Sequence, residues 1–517
     1  MMDIDALLAA LPARIDAIVR RHAAATPDAP ALREAGRTLT YRELEGEIDA
    51  CAAWLRSLDV QAGERVMLVS ENGIAQVGAL FAIASLDAWC VNVNARLTAP
   101  ELEAIRSHCG ARVVLYTAAV SPDAAAHAAR AGADAHAHGG LMASLHADGG
   151  VPETLTAQPV AALVYTTGTT GKPKGVMLSH RNLLFVAAVS SRLRGLAPGD
   201  LAYGVLPVSH VYGLTSVLLG TLYAGACLQL VPRFTPHAML EAIRSGDLTI
   251  VQGVPAMYAR LLELCAAQGI RAPLASGLRF AYAGGSPLDP QLKREVESLL
   301  RVPLHNGYGL TEAAPTVSQT RLDAPRADTS VGHPIPGVEV RVEGPDGQLF
   351  VRGPNVMQGY YRDPAGTAAV LDRDGWLDTG DLARQDADGA LFIAGRSKEL
   401  IIRSGFKVYP LEVETVLNAH PAVTQSAVVG RLQADGNEEV VAFVQPAAGS
   451  VLTAAALDGW TAARLAPYKR PARIVLMASL PAAPSGKVLK HRLKNQNVQK
   501  PLGQGASPQW RTTKTVP

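Results

Sequence analysis

The sequence is poor in cysteine and in charge of one dominant sign, and it has no long unbroken apolar run. Its five cysteines among 517 residues, Cys51, Cys90, Cys109, Cys227 and Cys265, are scattered without paired metal-ligand spacing. That speaks against a cysteine-held metal and for ordinary core thiols in a reducing cytoplasm. The 48 Lys and Arg nearly cancel the 46 Asp and Glu, leaving a net charge of +2 and no basic block. A phosphate-backbone binder concentrates positive charge on one face, so no nucleic-acid partner is expected, whereas a small anionic ligand stays open. The longest greasy stretch, "VGALFAIASLDAWCVNV", is broken by Asp87 and is too short to span a bilayer. The first residues lack the charged-then-apolar order of a signal peptide, and Pro12 interrupts their helical pattern, so a helix packed on its own domain is expected there. The last, polar stretch has no periodicity, and residues 493–517 read as a flexible tail.

Hydrophobic residues make up 48% of the chain, which suits a large globular protein of more than one domain. Short β-branched runs such as "RVMLVS", "ARVVLY" and "ACLQLV" alternate with helical stretches such as "PELEAIRSHC" and "PHAMLEAIRSG". This rhythm predicts α/β layering. From about Val338 the texture changes to "VEVRVEGPDGQLFVRG", whose alternation around a Pro-Asp-Gly turn predicts an antiparallel hairpin. A third texture begins near Ser397, with "PLEVETVLNAHPAV", "SAVVGR" and "EEVVAFVQP", enough for a separate α+β unit of roughly a hundred residues. The expected fold class is therefore α/β: a large N-terminal domain, 1–396, of layered α/β subdomains plus a β-rich subdomain, then a small C-terminal α+β domain, 397–492.

One stretch concentrates chemistry. In "YTTGTTGKPKG", Tyr165 to Gly175, glycines free the backbone N–H groups to face a ligand, threonines offer hydroxyls, and Lys172 and Lys174 add positive charge. Together they describe a phosphate cradle. It is not a Walker A loop, because Pro173 stands where the magnesium-binding hydroxyl should follow the lysine. Its position, between the buried run "VAALV" and the helix-like "NLLFVAAVSSRL", distinguishes it from an ordinary flexible surface loop.

"YTTGTTGKPKGVMLSH" resembles the nucleotide-loop signature of the adenylate-forming (ANL) superfamily, which holds acyl-CoA synthetases, peptide-synthetase adenylation domains and firefly luciferase. The remaining signatures follow in order: "TYREL" near the start, then "LPVSHVYG", "AYAGGSPL", "NGYGLTE", "GWLDTGD", "GRSKELIIRSGFKVYPLEVE" and "PSGK". The likeness runs from about Thr40 to Lys487 and lies nearest the acyl-CoA synthetase and aryl-CoA ligase branch of the 4-coumarate:CoA ligases.

The resemblance implies activation of a carboxylic acid by ATP, with Mg2+, and transfer of the acyl group to the thiol of coenzyme A. It assigns Thr166, Thr167, Gly168, Thr169, Thr170 and Lys174 to the triphosphate, and Gly284, Gly285 and Ser286 to one wall of the adenine site. In "NGYGLTE", Asn306 and Gly307 line the nucleotide, Tyr308 stacks on adenine, Thr311 contacts the α-phosphate and Glu312 holds magnesium. Asp381 and Arg396 are the implied ribose contacts. Lys487 is the invading lysine that offers its charge to the attacking carboxylate and the α-phosphate oxygens, Lys398 marks the hinge on which the small domain turns, and Gly405 lines the pantetheine channel. Singly, each has a plainer reading: Tyr308 as core, Glu312 as a surface carboxylate, Asp381 as a turn residue, Lys398 and Lys487 as solvated lysines. Plant-type relatives carry lysines where this chain has Ile402 and Ser404; Arg403, between them, is the available substitute.

His210 resembles the residue that gates between acid and thiol channels. Tyr212, Ser216, Gly307, Pro315 and Val317 stand where similar ligases line the acid tunnel. "SHVYGLTS" lacks the Asp that pairs with an amino-acid ammonium, so an amino-acid substrate is not expected. No cation stands among the lining positions either, so the expected substrate is an apolar monocarboxylic acid, aromatic or medium-chain, and not a dicarboxylate. Tyr212 favours an aryl acid. The alternative acceptor is the thiol of a phosphopantetheinylated carrier protein.

Overall fold

The alternation of strands and helices builds two large sheets with helices between them. The structure, a computed structural model, describes residues 2–154, 156–167, 173–271, 273–404, 406–433, 437–483 and 488–494. One sheet has nine strands in the order His333–Pro334, Thr316–Gln319, Leu304–Gly309, Phe280–Ala283, Ile250–Gly253, Leu201–Gly204, Cys227–Leu230, Pro30–Glu34, Arg37–Thr40. Its centre is parallel and its outer pairs are antiparallel. The second has eight, ordered Gly359–Tyr360, Pro173–Ser179, Val160–Thr167, Trp89–Asn94, Arg65–Ser70, Val113–Tyr116, Leu141–Leu145, Asp134–His138.

Helix Ile74–Ser85 is apolar nearly all round because both its faces are covered. It packs on Pro30–Glu34 of the first sheet and on Arg65–Ser70 and Trp89–Asn94 of the second. With the turn at Asp87, this accounts for the greasy stretch of the sequence; among the described residues no helix is long and apolar enough to cross a membrane. The "TYREL" segment starts helix Tyr41–Ser57 through a capping box, in which Thr40 Oγ1 accepts from Glu43 N at 3.2 Å and Glu43 Oε2 accepts from Thr40 N at 2.8 Å. All five cysteines are buried and unpaired.

The Pro-Asp-Gly hairpin forms as expected, Glu339–Glu343 against Gln348–Arg352, and continues into Leu377–Gln385 and Leu391–Arg396 as a four-stranded antiparallel sheet. After the short 3-10 turn Ser397–Glu399 the apolar core changes. Buried residues from Ile401 to Leu493 form their own clusters around the three-stranded sheet Val423–Leu432, Glu438–Pro446 and Arg473–Leu476, with helix Pro410–Asn418 packed on the first strand and helix Ala454–Ala462 on the last.

One local expectation needs correction. A second strand stands between the threonine-glycine loop and the helix: Val160–Thr167 and Pro173–Ser179 pair antiparallel, in register Thr166 with Lys174. The helix His180–Leu193 starts only after the second strand. Its own capping box uses Ser179 and Asn182, and Asn182 Nδ2 donates to the carbonyls of Pro354 (2.7 Å) and Val356 (2.9 Å), tying the hairpin's base to the β-rich region.

Candidate active site

The expected site residues gather where parallel strands Phe280–Ala283 and Leu304–Gly309 of the larger sheet end, the usual place for ligands on open α/β sheets. The hairpin places Lys174 beside Tyr360: the ammonium lies 4.3 Å from the ring centroid and 3.9 Å from Asp363 Oδ2. Tyr360 arrives there because Gly359–Tyr360 pairs with Met177 and Val176 along the hairpin's edge. Its hydroxyl donates to Glu312 Oε1 at 2.8 Å. Burial and then the Glu312 charge push this phenol's pKa upward, so it stays protonated and remains a donor. Glu312 thereby keeps a second carboxylate oxygen for another ligand. Among the described residues no cluster of three His, Cys, Asp or Glu stands ready as a metal cage. A single carboxylate is what fits magnesium that is otherwise held by phosphates and water.

A second group centres on Asp381, on the four-stranded sheet. Asp381 is buried; its Oδ2 accepts from the Tyr308 hydroxyl at 2.6 Å and its Oδ1 lies 3.0 Å from Arg396 Nε. Asp381 and Arg396 are directly opposite on neighbouring antiparallel strands, which sets their distance through the ladder. Burial and then Asp381 raise the Tyr308 pKa, so this phenol also donates. An ionised carboxylate offers about four lone-pair sites; two are in use here, which leaves two acceptors for a pair of hydroxyls.

The segment expected to line the acid winds as a π-helix, Tyr212–Leu219, a rare form that often marks functional sites. The Tyr212 ring covers Gly284 so closely that a Cβ there would meet it at 3.2 Å. Ser216 Oγ and Thr316 Oγ1 are 3.2 Å apart, next to buried Pro315 and Val317. Gly307 is required by space: a Cβ on it would fall 1.9 Å from the Tyr282 hydroxyl and 2.9 Å from Ser318 O. Thr311 is buried and opens the 3-10 turn that carries Glu312. Gly285 and Ser286 follow Gly284 on the same turn, Gly285 with φ +80°.

Several expectations change. Asn306 also braces its surroundings: Nδ2 donates to the carbonyls of Thr329 (3.1 Å) and Ser330 (3.2 Å), and Oδ1 accepts from Gly307 N at 3.0 Å. Arg403 does not replace the missing lysines, since its Nη1 donates to the small unit's own carbonyls, Tyr468 O (3.2 Å) and Arg470 O (2.7 Å). The acid-lining positions do hold no cation, but directly behind them stands Arg194, buried, its Nη1 3.3 Å from Ser216 O and 2.7 Å from Gln252 Oε1. The exclusion of a second carboxylate loses its basis. His210 is exposed on the turn before the π-helix and accepts from Tyr212 N through Nδ1 at 3.2 Å. Lys398 is exposed in the turn between the two apolar cores. Thr166 is half-buried at the end of the hairpin ladder beside Thr167. Gly168, Thr169, Thr170, Gly405 and Lys487 lie outside the described residues.

Sequence reasoning missed Tyr360, Asp363, Arg194, Gln252 and Tyr282. The only available signal was the aromatic pair in "QGYY" so near the hairpin's strand partner; nothing local marked the others.

The model of the AMP-binding enzyme family matches residues 19–361, and that of the AMP-binding enzyme C-terminal domain matches 412–487. The chain is 36% identical to feruloyl-CoA synthase of Amycolatopsis sp over 92% of its own length and 97% of the relative's. It is 33% identical to 4-coumarate--CoA ligase 2 of Oryza sativa subsp. japonica over 91% and 90%. Among solved structures, ATP-bound MatB from Rhodopseudomonas palustris superposes with a TM-score of 0.81 at 29% identity, covering 93% of this chain and 98% of that one. The o-succinylbenzoate coenzyme A synthetase of Bacillus subtilis, in complex with ATP and magnesium ion, gives 0.78 at 27%, covering 92% and 99%.

Proposed function

The chain belongs to the AMP-binding enzymes and is an AMP-forming acid:CoA ligase that uses ATP, Mg2+ and coenzyme A, and from that premise we propose its substrate class and the work of each site residue. The acid has an apolar body, aromatic or medium-chain, behind the carboxylate that is activated, and the π-helical Tyr212 against Gly284 favours the aromatic choice. Relatives named for ferulate and 4-coumarate support the same choice.

The observation that carries the mechanism is the convergence of two groups of contacting side chains, Lys174–Tyr360–Glu312 and Tyr308–Asp381–Arg396, at one sheet end. In the first step the acid's carboxylate oxygen attacks the α-phosphorus of ATP and pyrophosphate leaves. No base is needed, since a carboxylic acid of pKa about 4 is already ionised at neutral pH. Lys174 and the threonine-glycine loop hold the β- and γ-phosphates, and Thr311 holds the α-phosphate. Tyr308 stacks on adenine against Gly284, Gly285 and Ser286, and the two free acceptor sites of Asp381 take the ribose hydroxyls. Glu312 would hold magnesium together with the phosphates; the ion supplies neutralisation of charge on the transferring and leaving oxygens. Lys487 adds positive charge where negative charge builds up in the transition state, the kind of interaction that raises rate instead of merely binding substrate.

In the second step the CoA sulfur attacks the acyl carbon and AMP departs with the electron pair of the broken C–O bond. The small C-terminal domain, 397–492, turns about Lys398 between the steps, a few backbone dihedrals absorbing the motion, with Gly405 and His210 at the thiol's approach. Free CoA is the acceptor, and the named relatives give the carrier-protein alternative no support. Five unpaired cysteines suit a cytoplasmic setting.

A panel of aromatic and aliphatic acids, incubated with ATP, Mg2+ and CoA and followed for AMP and thioester, tests this reading. It predicts thioester from cinnamate-like or medium-chain acids and none from amino acids. Turnover confined to amino acids, or AMP release with no thioester, would overturn it.

A further inference from the structure

Arg194 is one of the most deeply buried charged groups of the chain, 2% exposed, at the end of helix His180–Leu193. A buried guanidinium normally sits against a carboxylate, because an unpaired charge away from water is costly. Here its partners are neutral: the side-chain oxygen of Gln252, the backbone oxygen of Ser216 and the face of Tyr282, 4.2 Å away. Its Nε has no hydrogen-bond partner. Gln252, wholly buried, spends its Oε1 on Arg194 and leaves its Nε2 without a partner as well. Two buried donor nitrogens are therefore unsatisfied in one place, a condition that folded proteins rarely leave unexplained.

The place is informative. Tyr282, on which Arg194 stacks, carries its hydroxyl against Gly307, and Ser216, whose carbonyl Arg194 holds, is in contact with Thr316. Both Gly307 and Ser216 are residues read above as the acid's lining, so the cluster lies just behind that lining.

We propose that Arg194 and Gln252 form an acceptor-recognising end to the acid tunnel: the acid that this enzyme prefers carries a second oxygen, a hydroxyl, keto or carboxylate oxygen, remote from the carboxylate that is adenylated. The proposal rests on the reading of Tyr212, Ser216 and Gly307 as the acid's lining. That oxygen receives hydrogen bonds from the guanidinium and the amide, and an acid lacking it leaves both donors buried and unpaired. A site built in this way discriminates by omission, since the analogue without the oxygen leaves the donors unsatisfied without gaining anything.

The test is kcat/KM for matched pairs of acids on one carbon frame, with and without a far-end oxygen: phenylpropanoate against its para-hydroxy and para-carboxy forms, and octanoate against 7-oxo-octanoate and octanedioate. Wild type should prefer at least one oxygen-bearing partner about 100-fold or more, and the hydroxyl, keto and carboxylate arms tell which oxygen is taken. Arg194→Met and Gln252→Met should each shrink that ratio about tenfold or more, the oxygen-bearing acids losing far more than the plain acids. Because Arg194→Met removes a buried brace, melting temperatures are measured alongside, and the wild-type ratio stands as a test without any variant. Activity on the plain acids with no preference for oxygen, or an equal fall for both members of each pair in the variants, overturns the subsite and leaves the ligase reading intact. A wild-type enzyme inert to every pair overturns the substrate reading and the subsite with it.

Discussion

Asp381→Asn should reveal whether the buried carboxylate reads the ribose. In the folded chain the Asp381 oxygens serve Tyr308, at 2.6 Å, and Arg396, at 3.0 Å. An Asn there keeps one oxygen for the Tyr308 hydroxyl, while its amide nitrogen turns toward Arg396. The Arg396 side chain is 45% exposed, so water replaces most of what that pair contributes and the fold should lose little. The nucleotide loses more. One of two ribose hydroxyls gives up a hydrogen bond to a charged acceptor, worth about 1.5–3 kcal/mol, or roughly a 10- to 100-fold rise in KM for ATP. Acid-dependent ATP–pyrophosphate exchange measures it, with ATP compared against 2'-deoxy- and 3'-deoxy-ATP. Wild type should discriminate against at least one deoxynucleotide by a similar factor, and Asp381→Asn should erase most of that discrimination, because the coupling is between this side chain and that hydroxyl. An unchanged KM for ATP, or undiminished discrimination in the variant, would refute the assignment.

Gly307→Ala should lower the melting temperature by a few degrees, from an overpacking cost of about 1–3 kcal/mol, and raise KM for the acid more than for ATP. Adding Tyr282→Phe removes the atom 1.9 Å from the new Cβ but leaves ring carbon Cζ at 2.9 Å, so rescue should be partial in both readings. Lys487→Ala should abolish most pyrophosphate exchange while leaving thioester formation from supplied acyl-AMP and CoA; equal loss of both halves would remove its special role in the first. Acidification should also destabilise the fold. Burial first of all depresses the pKa of His180 and His305 to about 4, whereas the unfolded side chains titrate near 6.5. Between those values the unfolded state binds the extra protons, so stability falls as pH drops from about 6.5 to 4, by up to about 1.4 kcal/mol per pH unit for each histidine. His180→Asn, whose side-chain oxygen can still accept from Ile15 N as His180 Nδ1 does, should flatten the dependence of melting temperature on pH; an identical slope would assign the loss elsewhere.

What the sequence made legible was whatever depends on short-range pattern. The hairpin at Pro345–Gly347, the helix after "TYREL" and the strand "RVMLVS" follow from turn chemistry, capping and apolar runs. The ordered motifs also located the residues that converge, from Lys174 to Arg396. Their partners were not legible, because each comes from a distant strand or helix. Tyr360 meets Glu312 only because a two-residue strand adds to the hairpin's edge. Asn306 carries a motif position, yet its amide is taken up by carbonyls more than twenty residues away. Arg194 illustrates the limit best: near the end of a helix in "SSRLRGLAPGD" it reads as a solvated cation, and only the packing of Gln252 and Tyr282 around it makes it a buried one. The second strand of the phosphate-loop hairpin went unseen for a similar reason. "PKGVMLS" begins with residues of weak strand propensity, and its pairing with Val160–Thr167 supplies what local preference does not.

Incorporation of labelled pyrophosphate into ATP, driven by an aromatic or medium-chain acid in the presence of Mg2+ and before any CoA is added, bears most directly on the central claim. The acid should be joined reversibly to the α-phosphorus, so label enters ATP only when acid is present and CoA then draws the adenylate into thioester. Label entering ATP equally without acid, or no exchange across the whole range of acids by folded protein, would contradict it.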